Sequence, residues 1–476
     1  MMKMNKEDIC FMSAWEMREK IRTQELTSQE ITEVIIERIE KINPIINAYC
    51  TPTFELAREM AKKADERVKK EEKEIPLLNG IPTSIKDLVP VKGVRTTFGS
   101  KIFENHIPHE DAIVVKRLKN AGCVILGKTN TPEFGFKGAT DNLIFGATPN
   151  PWNLEKTSGG SSGGAASSVV CGMGPLAQGS DGGGSIRHPA CFCGAYGLKP
   201  SFGRVPIHPR EFISAQTLAV IGPIVRYVSD AALMLDVMKG PFEGDRYSLP
   251  EDNIKYLDHI DEKPEKLKIG YSLDLGYAKV IDSDVKKAVI NSIQKFDSFG
   301  WEVEEAKFKK LDPTIAFGIH WFIDYGYGLG SYLKDWKEQM DPTLTQWAQL
   351  GLQFPAPSLP NAIKTREQFY QVIFKTFKNY DILITPTTAI PAFDLGIPAP
   401  TEINGIKVLP TGWMPFTFPF NFTGHPAATI PCGWTKDTNL PIGMQIVGKR
   451  FQELLVLQVS KAFEEIAPWQ DKKPKL

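Results

Sequence analysis

Two serines set in glycine, Ser161 within GGSSGG (Gly159–Gly164) and Ser185 within DGGGSIR (Asp181–Arg187), are the residues of this sequence best placed for nucleophilic chemistry. A serine hydroxyl attacks a carbonyl only when a base removes its proton. Glycines beside it leave peptide N–H groups unobstructed, which is what a developing oxyanion requires. The stretch Thr157–Arg187 also reads as a flexible Gly/Ser linker. Its middle, however, with Ala165, Ala166, Val169, Val170, Cys171, Met173 and Leu176, is small and apolar, as backbone packed inside a domain should be. Burial of this stretch is therefore expected.

Three short patterns compete for the chemistry. Gly122–Thr129 (GCVILGKT) satisfies G-x-x-x-x-G-K-[ST], the phosphate loop of nucleotide-dependent enzymes. Its variable positions form an apolar run that favours a strand, and Pro132 follows where a helix should begin. Gly172–Ala177 fits the dinucleotide fingerprint, without the acidic residue expected about twenty positions on. Gly160–Gly164 fits G-x-S-x-G, which would make Ser162 the nucleophile on an elbow, with His425 and a carboxylate completing the set. The residues before it, PWNLEKTS, do not read as the strand that an elbow needs. Cys191 and Cys193 form a C-x-C with no second pair, and read as packed thiols.

The two glycine-flanked serines, the upstream segment GIPTSIKD (Gly80–Asp87), and the later segments GHPAATIPCG (Gly424–Gly433) and PIGMQIVG (Pro441–Gly448) together resemble the amidase signature family over most of the chain. The resemblance implies a Ser-Ser-Lys triad of Lys86, Ser161 and Ser185, with a cis peptide before Ser161 and no metal or cofactor. It implies that neutral Lys86 takes a proton from Ser161, which takes one from Ser185. Ser185 then attacks an amide, forming an acyl-enzyme whose oxyanion rests on the N–H groups of Gly182, Gly183, Gly184 and Ser185. Lys86 stands among Ile85, Leu88 and Val89, a setting compatible with the burial that disfavours an ammonium. Thr157 and Ser158 are expected to hold Ser161, and Asp181 and Arg187 to brace the glycine loop. The implied reaction is hydrolysis of a linear or cyclic carboxamide to an acid and an amine or ammonia. The family also contains the glutaminase subunit of tRNA-dependent amidotransferases. Met414 occupies the place where such glutaminases carry a carboxylate for the glutamine amino group.

With 56 acidic and 56 basic residues the chain projects no global field toward nucleic acid or an anionic membrane, and a small neutral amide is the expected partner. Seven cysteines without framework spacing point to reduced thiols in the cytoplasm. The first residues carry no apolar run suited to a secretory leader, and no 18 apolar residues run together.

The elements that must position the site follow from periodicity. Ser13 with Glu16, and Thr27 with Glu30, mark helix starts. Ile31, Val34, Ile35, Ile39 and Ile42 recur at helical spacing until Pro44, which should stop the helix. Residues 8–75 read as three helices covering one face and offering a homodimer contact. From residue 79 short apolar strands alternate with helices: a helix over 111–120, strands at 123–126, 268–271 and 381–385, an antiparallel pair at 429–434 and 442–447, and a closing helix over 452–466. This order predicts one α/β/α sandwich around a mixed central sheet across 1–476. Its expected parts are a core at 79–250, a variable pocket region at 251–410 and a return to the core at 411–476. Aromatics crowd residues 301–360; most belong to a core, and some are expected to line an apolar substrate cavity.

Overall fold

The computed structural model describes residues 4–71, 74–210 and 217–476. Its frame is an 11-stranded mixed sheet. In spatial order the strands are Tyr49–Pro52, Val124–Thr129, Pro82–Lys86, Leu176–Asp181, Val220–Val225, Tyr196–Lys199, Ala427–Trp434, Pro441–Gly448, Ile382–Pro386, Lys268–Tyr271 and Glu302–Glu305. Pro82–Lys86 runs parallel to both of its neighbours, so its carboxyl end and that of Leu176–Asp181 lie side by side. The crevice outside the carboxyl ends of parallel strands is where open α/β sheets place their ligand sites. At the other side of the sheet, Ala427–Trp434 and Pro441–Gly448 form the expected antiparallel pair, and helix Glu453–Ile466 closes the chain.

Among the described residues the N-terminal region holds four helices, Lys6–Phe11, Ala14–Arg22, Ser28–Ile46 and Phe54–Lys69, rather than three, and contributes the edge strand Tyr49–Pro52. Thr27 and Glu30 make a full capping box, while Ser13 caps only the Glu16 N–H. Pro44 does not stop its helix, which runs to Ile46. The proline falls in the last turn, and the side chain of Asn43 both donates to the Tyr49 carbonyl and accepts from its N–H, fixing the exit.

Two of the competing motifs dissolve here. Gly122–Thr129 is no loop: Val124–Thr129 is a buried strand hydrogen-bonded on both edges. Lys128 is fully buried, its ammonium on the Val89 carbonyl (2.6 Å), Thr96 (2.9 Å) and the Asp87 carboxylate (3.5 Å), so nothing of it remains for a phosphate. Gly172–Ala177 links helix Gly163–Val170 to strand Leu176–Asp181, the reverse of the strand-to-helix order that a dinucleotide fold needs.

The glycine-rich stretch is interior. From Thr157 to Pro200 every residue is buried except Ser180, which is partly so. Small residues are required because helix Gly163–Val170 lies against other backbone: a Cβ on Gly164 would stand 2.4 Å from the Asn130 nitrogen and 2.6 Å from the Ala48 oxygen. The aromatic region forms helices Thr314–Leu329, Pro342–Gln353 and Ser358–Thr376. They are tied to the core through Trp321 Nε1 on the Phe136 carbonyl and Tyr325 on the Phe134 carbonyl, both at 3.0 Å.

Candidate active site

Lys86 is the last residue of its strand and is fully buried. Its Nζ lies 2.7 Å from Ser161 Oγ, 2.8 Å from Ser162 Oγ and 3.1 Å from Ser180 Oγ. Burial drives its pKa well below the ordinary lysine value, and the more distant Asp181 charge only partly opposes this. The expected desolvation is therefore present, in a pocket made of hydroxyls. Ser180 comes from the parallel neighbour Leu176–Asp181, and Ser161 and Ser162 from the turn that opens helix Gly163–Val170.

The Gly160–Ser161 peptide is cis. Thr157 Oγ1 accepts from the Gly159 N–H (3.1 Å), and the Ser158 hydroxyl donates to the Thr148 carbonyl (2.7 Å). Thr140, which the sequence did not single out, spans the turn: its hydroxyl donates to the Gly159 carbonyl at 2.8 Å and accepts from the Gly163 N–H at 3.0 Å.

Ser185 stands at the end of the glycine loop. Among the described residues its hydroxyl makes no hydrogen bond, and the N–H groups of Gly182, Gly183, Gly184 and Ser185 donate to no protein acceptor. The chain of hydroxyls is thus joined from Lys86 to Ser161 and open between Ser161 and Ser185, which share the wall of one small cavity. Gly184 has φ +141, and a Cβ there would stand 2.1 Å from His188 Nε2. Glycine at this position is therefore a requirement of both backbone and space.

Behind the loop, Asp181 and Arg187 form a fully buried ion pair, with Nη2–Oδ1 and Nε–Oδ2 both 2.9 Å. Burial would raise the Asp181 carboxyl, but the guanidinium, Lys199 and the Asn421 amide outweigh it and hold the group well below the usual carboxylate range. Arg187 also donates to the Thr417 carbonyl (2.8 Å), Gln445 (2.6 Å) and Asn421 (2.6 Å), and Asn421 returns a bond to the Asp181 carbonyl (2.9 Å). Thr417 donates to the Gly183 carbonyl at 2.8 Å and sits 2.6 Å from His188 Nε2. Burial pushes the His188 ring down to about 3, so it is a neutral strut. Thr417, Asn421 and Gln445 escaped the sequence reading because nothing local distinguishes them. They act on a loop more than 200 positions earlier in the chain.

Ser162 fails as a nucleophile. Its side chain is fully buried, with the oxygen on Lys86 and the hydroxyl on the Ser180 carbonyl (3.3 Å), and it borders neither cavity at Ser185. A strand does precede it, Asn153–Thr157, contrary to expectation, but it belongs to a two-stranded hairpin outside the main sheet. His425 instead bonds Thr423 (2.8 Å) and stacks on Phe377.

A cavity of about 470 Å³ opens from Ser185 and Gly183, walled by Phe317, Trp321, Phe322, Trp347, Trp413 and Met414. The aromatic region thus supplies part of its lining, through Phe317, Trp321, Phe322 and Trp347, while Trp413 and Met414 come from later in the chain. Among the described lining residues the one charged side chain is Lys137, whose ammonium is held by Asp141 (2.7 Å) and Asp341 (2.8 Å).

Residues 30–457 match the family model described as Amidase. The chain belongs to the amidase family, and its reaction is hydrolysis of a carboxamide. It is 36% identical to an acylamidase of Rhodococcus erythropolis over 99% of this chain and 98% of that one. It is 35% identical to a glutamyl-tRNA(Gln) amidotransferase subunit of Carboxydothermus hydrogenoformans, over 98% and 100%. Among solved structures, a bacterial aryl acylamidase of the amidase signature family superposes with a TM-score of 0.90 at 30% identity, covering 97% of each chain. No helix among the described residues is long and apolar enough to cross a membrane.

Proposed function

We propose that this amidase works through Ser185 as nucleophile, Ser161 as proton carrier and Lys86 as base. The observation that carries the reading is the fully buried Lys86 amine 2.7 Å from Ser161. A neutral amine has two N–H donors and one lone pair, and three hydroxyls surround this one. Ser162 directs its own hydrogen to the Ser180 carbonyl, so its oxygen accepts from Lys86. With Ser180 as the second acceptor, the lone pair faces Ser161, the nearest of the three. Ser161 then passes its proton to Lys86 while taking one from Ser185, as Ser185 Oγ adds to the amide carbon.

The negative oxygen that forms is received by the unengaged N–H groups of Gly182–Ser185, held in place by the Asp181–Arg187 pair. Ser161 returns the proton to the departing nitrogen, leaving an acyl group on Ser185. Water then enters by the same relay and releases the acid. The substrate is a small-molecule amide. Glutamine is disfavoured, because Met414 and aromatic side chains line the cavity and no carboxylate among the described lining residues is available for an amino group. Seven unpaired cysteines suit a reducing compartment, and we assign the protein to the cytoplasm.

The test is covalent. A fluorophosphonate should label Ser185 and no other serine, and Ser185→Ala should abolish both labelling and turnover. Label on Ser162, or turnover surviving in Ser185→Ala, overturns the assignment.

A further inference from the structure

Ser185 stands between two spaces of very different size, and resting on the roles proposed above, this fixes which half of the amide goes where. The large cavity, about 470 Å³, borders Gly183 and Ser185. The small one, about 60 Å³, borders Gly182, Ser185, Ser161 and Ser180, and is closed by Leu88 and Trp321. Ser161 lines the small space and not the large one. In the tetrahedral adduct the oxygen takes the row of peptide N–H groups, so the acyl and amine groups must divide the two spaces. The nitrogen receives its proton from Ser161 and therefore lies on the small side.

A water needs roughly 10–15 Å³ of such space, so the small cavity holds about four to six non-hydrogen atoms. That is room for ammonia, a short alkylamine or the hydrolytic water, and too little for an aniline ring in addition to the amide nitrogen. The acyl side is wide and aromatic, and the single charge among its described lining residues, Lys137, is already neutralised by two carboxylates.

We propose that the enzyme hydrolyses primary and short N-alkyl amides of bulky, uncharged, apolar carboxylic acids, with the acyl group in the aromatic cavity and a small amine leaving past Ser161. The Ser185 Oγ–C bond forms first, giving the tetrahedral adduct; the C–N bond then breaks, and the Ser185 proton departs on the amine by way of Ser161. Water then adds to the ester carbon, the C–Oγ bond breaks, the acid leaves, and Ser185 regains a proton.

Two isomers of identical composition separate the polarities: 4-phenylbutanamide, bulky on the acyl side, and N-phenylbutanamide, bulky on the amine side. With the full-length protein, kcat/KM for the primary amide should exceed that for the anilide by about 10- to 200-fold, the discrimination a steric pocket supplies. Leu88→Ala, which widens the small space without touching the reacting groups, should narrow that ratio by about tenfold or more. Equal or faster hydrolysis of the anilide, still abolished by Ser185→Ala, overturns the polarity while leaving the nucleophile assignment standing. An unchanged ratio in Leu88→Ala also counts against it. Hydrolysis of both isomers surviving in Ser185→Ala, or of neither by the wild type, overturns the site reading and this proposal together.

Discussion

Replacing Lys86 by Met removes the base and, on the same physical grounds, must change how stability depends on pH. Methionine is unbranched and fills much of the lysine stem's volume, so the substitution deletes the amine with little loss of packing. In the unfolded chain the lysine titrates at its ordinary value of 10.5; in the fold, burial holds it well below. Between those two values the unfolded state binds one proton more than the native state, so stability rises with pH. The sign is that of a depressed pKa: the contribution is complete above 10.5 and is lost as pH falls toward the folded value. The slope is about 1.4 kcal/mol per pH unit for one proton, and it disappears with the amine.

The assay is equilibrium urea unfolding of the wild type and Lys86→Met at pH 7, 8 and 9, read as the difference between them so that every other titrating group cancels. That difference should move toward the wild type as pH rises, by up to about 1.4 kcal/mol per unit wherever the native amine is neutral and the unfolded one charged, and at pH 7 the variant should be the more stable protein. Its kcat/KM should be lower by about 10²- to 10⁴-fold, the usual contribution of a general base. The acid limb of the wild-type pH–rate profile, set by protonation of Lys86, should vanish with it. A pH-independent stability difference means that Lys86 is charged in the fold, and the proposed proton relay is then wrong.

Two further substitutions probe the loop behind Ser185. Gly184→Ala forces a side chain into a left-handed position and into the His188 ring. It should reduce kcat by about 10²- to 10³-fold through misplaced peptide donors while leaving the circular dichroism spectrum unchanged, and near-wild-type turnover refutes the oxyanion assignment. Asp181→Asn leaves the fully buried Arg187 guanidinium without its carboxylate and should cost about 3–5 kcal/mol. A urea midpoint equal to that of the wild type would show that Arg187 is satisfied by Thr417, Asn421 and Gln445 alone.

Elements with a strong apolar pattern were legible in the sequence: Ile382–Pro386 as a short apolar run buried throughout, and Glu453–Ile466 through the helical spacing of its buried face. The sequence also singled out Ser161, Ser185 and, through the family pattern, Lys86 as candidates, because glycine-flanked serines carry a local signature; their roles remain the proposal made above. It could not say that Pro44 lies inside a helix, since a proline near a helix end is tolerated or not according to what catches the freed backbone. Nor could it say that the phosphate-loop match is a central strand, because a motif has meaning only in the backbone that carries it. The tertiary structure alone decided the rest. Parallel register sets Lys86 beside Ser180, a distant C-terminal segment holds Arg187, and packing of the aromatic helices against the Phe134–Phe136 segment leaves one large and one small space at Ser185. These are contacts between residues far apart in the chain, and spacing along a sequence carries no record of which distant segments the folded core will press together.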